Sequence, residues 1–68
     1  NLSDARARFQ AALKISPRYA PAHRGLGLVQ ERSGQTARAI LSLETYLRLA
    51  PRAADAAAIR ARINRLRK

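Results

Sequence analysis

The sequence predicts an all-α fold of helix–turn–helix units stacked one on the next, and three observations predict it. Apolar and proline positions recur at one fixed offset: Pro17 and Pro51 lie 34 residues apart, as do Ala5 and Ala39, Phe9 and Leu43, Leu13 and Leu47, and Ile15 and Leu49. Within each stretch the apolar residues return every three or four positions, which gathers them on one face of a helix. Proline and glycine then punctuate the chain where such helices must stop or turn.

Leu2, Ala5, Phe9, Ala12 and Leu13 form the apolar face of a first helix, with Ser3 or Asp4 as the expected cap at its start. Pro17 ends it, because proline has no amide hydrogen and turns the preceding residue away from helical geometry. A second helix is expected over about Pro21 to Ser33, with proline in its first turn, where the missing donor is not needed. Its buried stripe reads Ala22, Leu26, Val29 and Ser33. Gly25 and Gly27 each lower helix propensity by about 1 kcal/mol relative to alanine, so their place mid-helix predicts close approach by a neighbouring helix. Gly34 suits the C-terminal cap and the turn that follows.

A third helix carries Thr36, Ala39 or Ile40, Leu43 and Leu47 along its packed face and closes at Pro51. A fourth runs from about Ala54 to Leu66. Ala56, Ile59, Ile63 and Leu66 are spaced three, four and three, a clean amphipathic stripe. Arg60, Arg62, Asn64, Arg65, Arg67 and Lys68 cover the rest of that helix, and Asp55 stands near its start.

At 68 residues the chain is one small domain or a piece of a larger protein. A fold of this size buries only roughly 60% of the surface its unfolded form exposes, so its core is marginal. Small folds often compensate with a disulfide or a metal. With no cysteine and His23 as the one histidine, neither is expected here, and no cofactor site is expected either. The lack of cysteine fits a reducing cytoplasm. No apolar stretch is long enough to span a membrane, and no cleavable signal pattern opens the chain.

Charge is the other outstanding feature: 14 Lys+Arg against 4 Asp+Glu, a net +10 at pH 7. Every basic residue but Lys14 and Lys68 is arginine, and the heavy use of Arg and Ala also fits a GC-rich bacterial genome. Such a balance speaks to partners and solubility, not to fold. It makes an acidic peptide, nucleic acid or an anionic surface the ligands to weigh.

These residues resemble the tetratricopeptide repeat family, whose 34-residue unit runs aromatic, leucine–glycine, aromatic, alanine, aromatic, proline. Here the series reads His23, Leu26–Gly27, Gln30, Ala39, Leu43 and Pro51. Spacing matches throughout, and the residue type matches at Leu26, Gly27, Ala39 and Pro51, with Gly34 in the inter-helix turn. The resemblance implies a short right-handed α-solenoid. Residues 1–19 would be the second (B) helix of a preceding repeat, residues 20–53 one full A–B repeat, and residues 54–68 a capping helix. His23 and Gln30 replace bulky aromatics, which predicts looser and more polar packing in the full repeat. The first helix lacks an A-type partner, so upstream chain of a longer protein is expected to cover its apolar side.

In this family the A helices and the capping helix line a concave groove, which the resemblance places along Arg24, Leu28, Glu31 and Arg32 on the second helix. On the fourth it places Asp55, Ala58, Arg62 and Arg65. Arg24, Arg32, Arg62 and Arg65 around Leu28 would suit an extended acidic segment with one apolar side chain, because the guanidinium fork holds a carboxylate through two hydrogen bonds. The family's carboxylate-clamp subclass carries asparagine where Leu28 stands, so a chaperone-tail clamp is not expected. Beside this stands the plainer reading that the arginines are a solvated helix face and Leu28 an ordinary surface leucine.

Function classes sort accordingly. Asp4, Glu31, Glu44, Asp55 and His23 are spread over different helices, and Gly25 and Gly27 lack the strand–turn–helix setting of a phosphate loop, so no catalytic residue is expected. A protein-binding adaptor or scaffold is the first reading. Nucleic-acid binding through Arg60, Arg62, Arg65, Arg67 and Lys68 is the alternative; five cations in nine residues suit phosphate contacts, but no base-reading motif accompanies them. Tyr19 and Tyr46 read as packing residues, too scattered to stack bases. Self-association through the unpaired first helix is a further alternative.

Overall fold

The computed structural model describes residues 1–68, which form four helices and no strand: α1 (Leu2–Ile15), α2 (Ala20–Arg32), α3 (Thr36–Leu49) and α4 (Ala56–Leu66). Each helix packs on its neighbour in the chain, α1 on α2, α2 on α3 and α3 on α4, and no helix packs its backbone on any other. The result is a slab 27 × 26 × 16 Å, whose short dimension holds two layers of helices at ordinary interaxial distances. This is the expected all-α helical-repeat solenoid.

The 34-residue repeat of the sequence is also a repeat of the backbone. After α1, the Ser16 amide donates to the Ala12 carbonyl at 2.9 Å, that of Tyr19 to Ser16 at 3.0 Å and that of Ala22 to Tyr19 at 3.1 Å. Thirty-four residues on, Ala50 donates to Tyr46 at 2.8 Å, Ala53 to Ala50 at 3.1 Å and Ala56 to Ala53 at 3.0 Å. The two closing residues share a backbone geometry, φ −136° at Ser16 and −135° at Ala50. Pro17 and Pro51 follow them and prevent the helix from continuing.

The other turn is built on Gly34. Its φ of +80° is left-handed, its amide donates to the Glu31 carbonyl at 3.1 Å, and the Gln35 amide reaches back to the Gln30 carbonyl at 2.9 Å. This crossed pair is the Schellman motif that satisfies the last carbonyls of a helix.

Several details differ from the sequence-based expectations. The cap of α1 is Asn1, whose side-chain oxygen accepts from the Ser3 and Asp4 amides at 2.8 and 3.3 Å; Ser3 and Asp4 lie inside the helix, two and three residues past the cap position. Helix α2 begins at Ala20 and ends at Arg32, so Ser33 is its exposed C-cap and not part of the buried stripe, which is Ala22, Leu26, Gly27, Val29 and Gln30. On α3 the buried positions are Ala39, Leu43 and Tyr46; Thr36 is exposed and Leu47 half-buried, because the ring of Tyr46 takes the place at the α4 contact. Helix α4 starts at Ala56, since the turn after Pro51 uses residues up to Asp55.

The core sits toward the C-terminal end. Leu43, Tyr46, Ile59 and Ile63 form its buried centre, with Leu28, Ile40, Leu47 and Leu66 packed around it. The two helical glycines admit side chains from the helices on either side of α2. A Cβ on Gly25 would run into the Phe9 ring of α1, and one on Gly27 would lie 2.7 Å from Leu43 Cδ2 of α3. Polar packing appears at the residues that replace aromatics. Gln30 is buried and its Oε1 accepts from Ser42 Oγ at 2.7 Å, tying α2 to α3. His23 Nε2–H donates to the Pro17 carbonyl at 2.9 Å, tying α2 to the turn behind α1.

Candidate functional site

The backbones of α2 and α4 stay apart, leaving a trough between them. Arg24, Leu28 and Glu31 recur at four and three residues along α2, and Asp55, Ala58, Arg62 and Arg65 do so from the start of α4. Both sets therefore face the trough. Two hollows lie within it. One of about 390 Å³ is lined by Arg24, Leu28, Asp55, Ala58, Ile59, Ala61, Arg62 and Arg65. The other, of about 420 Å³, is lined by Leu28, Glu31, Arg32 and Arg62. All eight of the candidate groove residues thus line one hollow or the other, with Leu28 and Arg62 common to both.

Two ion pairs cross the trough. Arg24 Nε donates to Asp55 Oδ2 at 2.6 Å, and Arg62 Nη1 donates to Glu31 Oε1 at 2.9 Å. Each joins residues 31 apart, with the charges reversed: the cation is on α2 in the first pair and on α4 in the second. Residues 24 and 31 are two turns apart on one helix, as 55 and 62 are across the other, so the pairs lie in parallel.

The pairs differ in how firmly they are held. Asp55 is engaged through both oxygens, because the buried Tyr46 hydroxyl donates to Oδ1 at 2.6 Å. The Tyr46 hydrogen bond, and then that from Arg24, hold the Asp55 carboxyl below the usual carboxylate range; the same Tyr46–Asp55 bond pushes the tyrosine hydroxyl up. Asp55, Tyr46 and Arg24 form a latch joining α2, α3 and the start of α4. Arg62 and Glu31 share a single contact and have no third partner. With Arg24 and Arg62 matched, Arg32 and Arg65 are the groove cations that no acid neutralises.

Elsewhere, Arg67 pairs with Glu44 and fastens the end of α4 to α3. Of the five cations in the C-terminal stretch, Arg62 and Arg67 are therefore engaged within the fold, and Arg60, Arg65 and Lys68 are not. Helix α1 contributes no buried residue. Leu2 is 38% and Ile15 87% exposed, and a third hollow of about 470 Å³ lies along Asn1, Asp4, Ala5, Arg8 and Phe9. No helix is long and apolar enough to cross a membrane.

Sequence reasoning passed over the latch. Its signal was present in the reciprocal charges: a cation and then an acid on α2, matched 31 residues later by an acid and then a cation. The Tyr46 contact had no comparable sequence signature, since it depends on where the turn after Pro51 sets Asp55. A model of the Tetratricopeptide repeat family matches residues 1–64. No curated protein and no solved structure matches the chain.

Proposed function

The chain belongs to the tetratricopeptide repeat family, which generally mediates protein–protein interaction, and from that premise we propose that it is an adaptor module holding an acidic, partly apolar segment of a partner protein between α2 and α4. The observation that carries this reading is the trough itself, lined by aliphatic Leu28, Ala58 and Ala61 and by unmatched Arg32 and Arg65. An aliphatic side chain of the partner enters against Leu28, and its carboxylates meet guanidinium forks that bind them through paired hydrogen bonds. Arg24 serves the fold more than the partner, since its Nε is spent on Asp55.

The test uses a labelled peptide with one leucine flanked on each side by two glutamates, beside its glutamine-for-glutamate counterpart. Wild type is compared with Arg32→Glu/Arg65→Glu and with Arg38→Glu/Arg48→Glu, which makes the same charge change on the exposed side of α3. At physiological salt, where charges more than about 8 Å apart are screened, the groove variant loses the acidic peptide and the α3 variant keeps it. Equal loss in both would reduce the effect to bulk charge. Tighter binding to single-stranded nucleic acid than to the peptide, lost on reversing Arg60 and Lys68, would move the function to the C-terminal cations.

A further inference from the structure

The two ion pairs that cross the trough differ in a way that bears on how a partner enters it. In the latch, both oxygens of Asp55 are used and one of its partners is a buried tyrosine. Nothing that enters from solvent can replace Asp55 without uncovering that hydroxyl. In the second pair, one nitrogen of Arg62 meets one oxygen of Glu31, the remaining guanidinium donors have no protein acceptor, and the second Glu31 oxygen has no donor. Both side chains are part-exposed, at 38% for Arg62 and 27% for Glu31. Arg62 also borders both hollows, so its bond to Glu31 lies as a bar between them.

We infer that Glu31 is an internal stand-in for the partner's carboxylate, and that the partner is an acidic segment whose carboxylate takes Arg62 over from Glu31 as it docks. The inference rests on the groove reading above and adds to it a mechanism of selection. An incoming carboxylate finds Arg62 with free donors and Arg32 unmatched beside it on the same hollow, so a bidentate contact replaces a single one. A neutral segment offers Arg62 only uncharged carbonyl acceptors, weaker than the Glu31 carboxylate, and leaves the bar closed. Moving Glu31 aside removes the bar between the two hollows, which share Leu28. Charge complementarity sets the occupant: the trough holds four arginines against Glu31 and Asp55, and Asp55 is committed to the latch.

Glu31→Gln keeps the side-chain shape and removes the competing charge. The acidic leucine peptide is expected to bind this variant about two- to fivefold tighter than wild type, the range set by an exposed ion pair, with no gain for its glutamine counterpart. Glu44→Gln makes the same charge change at the Arg67 pair, outside the trough, and is expected to bind as wild type does. In the wild-type protein, saturation with the acidic peptide should move the Glu31 carboxyl carbon resonance toward that of a free glutamate while leaving Asp55 in place; this readout stands even if the variant folds poorly. Equal or weaker binding by Glu31→Gln, equal tightening by Glu44→Gln, or an unmoved Glu31 resonance at saturation would overturn the inference while the groove reading survives. If no form of the protein binds the acidic peptide, both fall together.

Discussion

Helices α1 and α4 occupy equivalent places at the two ends of the stack, each with its backbone packed on a single helix, yet they are held by different means. Helix α4 buries Ala56, Ile59 and Ile63 and is fastened by the Asp55 latch, the Arg62–Glu31 bar and the Arg67–Glu44 pair. Helix α1 buries no residue and makes no ion pair. What α1 has is local: an Asn1 cap, Asp4 in the first turn and Lys14 in the last, each favourable to the helix dipole. None of the other three helices has a side-chain cap, and each is positioned by the turn before it and by packing. An end helix becomes a rigid wall of the trough only when large apolar residues and matched charges tie it across the stack. Half-buried Ala5, Phe9, Ala12 and Leu13, with no ion pair beside them, leave the other end less firmly tied.

The largest expected effects come from truncating the two contact faces. Ile63→Ala should lower stability by about 2–4 kcal/mol, since the side chain is buried against Leu43 and Tyr46 and the cavity adds to the lost transfer term. Phe9→Ala should lower it by roughly 1–2 kcal/mol, because that ring is only half-buried. Chemical denaturation of both variants checks the order, and equal losses would break the comparison.

A sharper version uses the two glycines. The methyl of Gly25→Ala meets the outer edge of the Phe9 ring, which can swing outward with the open α1 face. That of Gly27→Ala meets Cγ and Cδ2 of the fully buried Leu43, each at 2.7 Å, which has nowhere to go. Overpacking at Gly27 should destabilise by about 1–3 kcal/mol. The gain in helix propensity, about 1 kcal/mol, is common to both sites, but only at Gly25, where the ring can yield, does it offset much of the clash. Melting temperatures of the pair decide it, and a larger loss at Gly25 would contradict the account.

Smaller again is the latch. Asp55 has a folded pKa below its unfolded value, so its contribution is present above the ordinary aspartate value of 3.8 and is lost as pH falls through the depressed folded value. Tyr46 is shifted up, so its contribution is full below 10.0 and fades as pH rises through the raised value. Asp55→Asn should lower the melting temperature at neutral pH and flatten its fall at acid pH. A variant that melts with the wild-type acid profile would remove the latch from the account. The smallest effect is expected at Arg67–Glu44, where Glu44→Gln should change stability by less than about 1 kcal/mol and less still in high salt.

Much of this architecture is legible in the sequence, for physical reasons that differ by residue. Pro17 and Pro51 mark the turns because a missing amide hydrogen acts locally, and the helix faces follow from the three- and four-residue spacing of Phe9, Leu26, Leu43 and Ile59. Gly25 and Gly27 announce close neighbours because their propensity cost needs a packing reason. The exposure of Ser33 was not legible, since it depends on a shift of one residue at a helix end; Tyr46 reads as a packing residue and is buried, whereas Tyr19, read the same way, is exposed. The ion pairs across the trough were not read either. They join helices at an offset of 31, whereas the repeat runs at 34, and that difference arises only when the helices are stacked.

Amide hydrogen exchange on the full chain is the most direct test of the contrast between the two ends, on which the trough's rigid wall depends. The account predicts that interior amides of α2, α3 and α4 exchange together, at the rate set by global unfolding, while those of α1 exchange faster through local opening. Equal protection of α1 and α4, or faster exchange from α4, would contradict it.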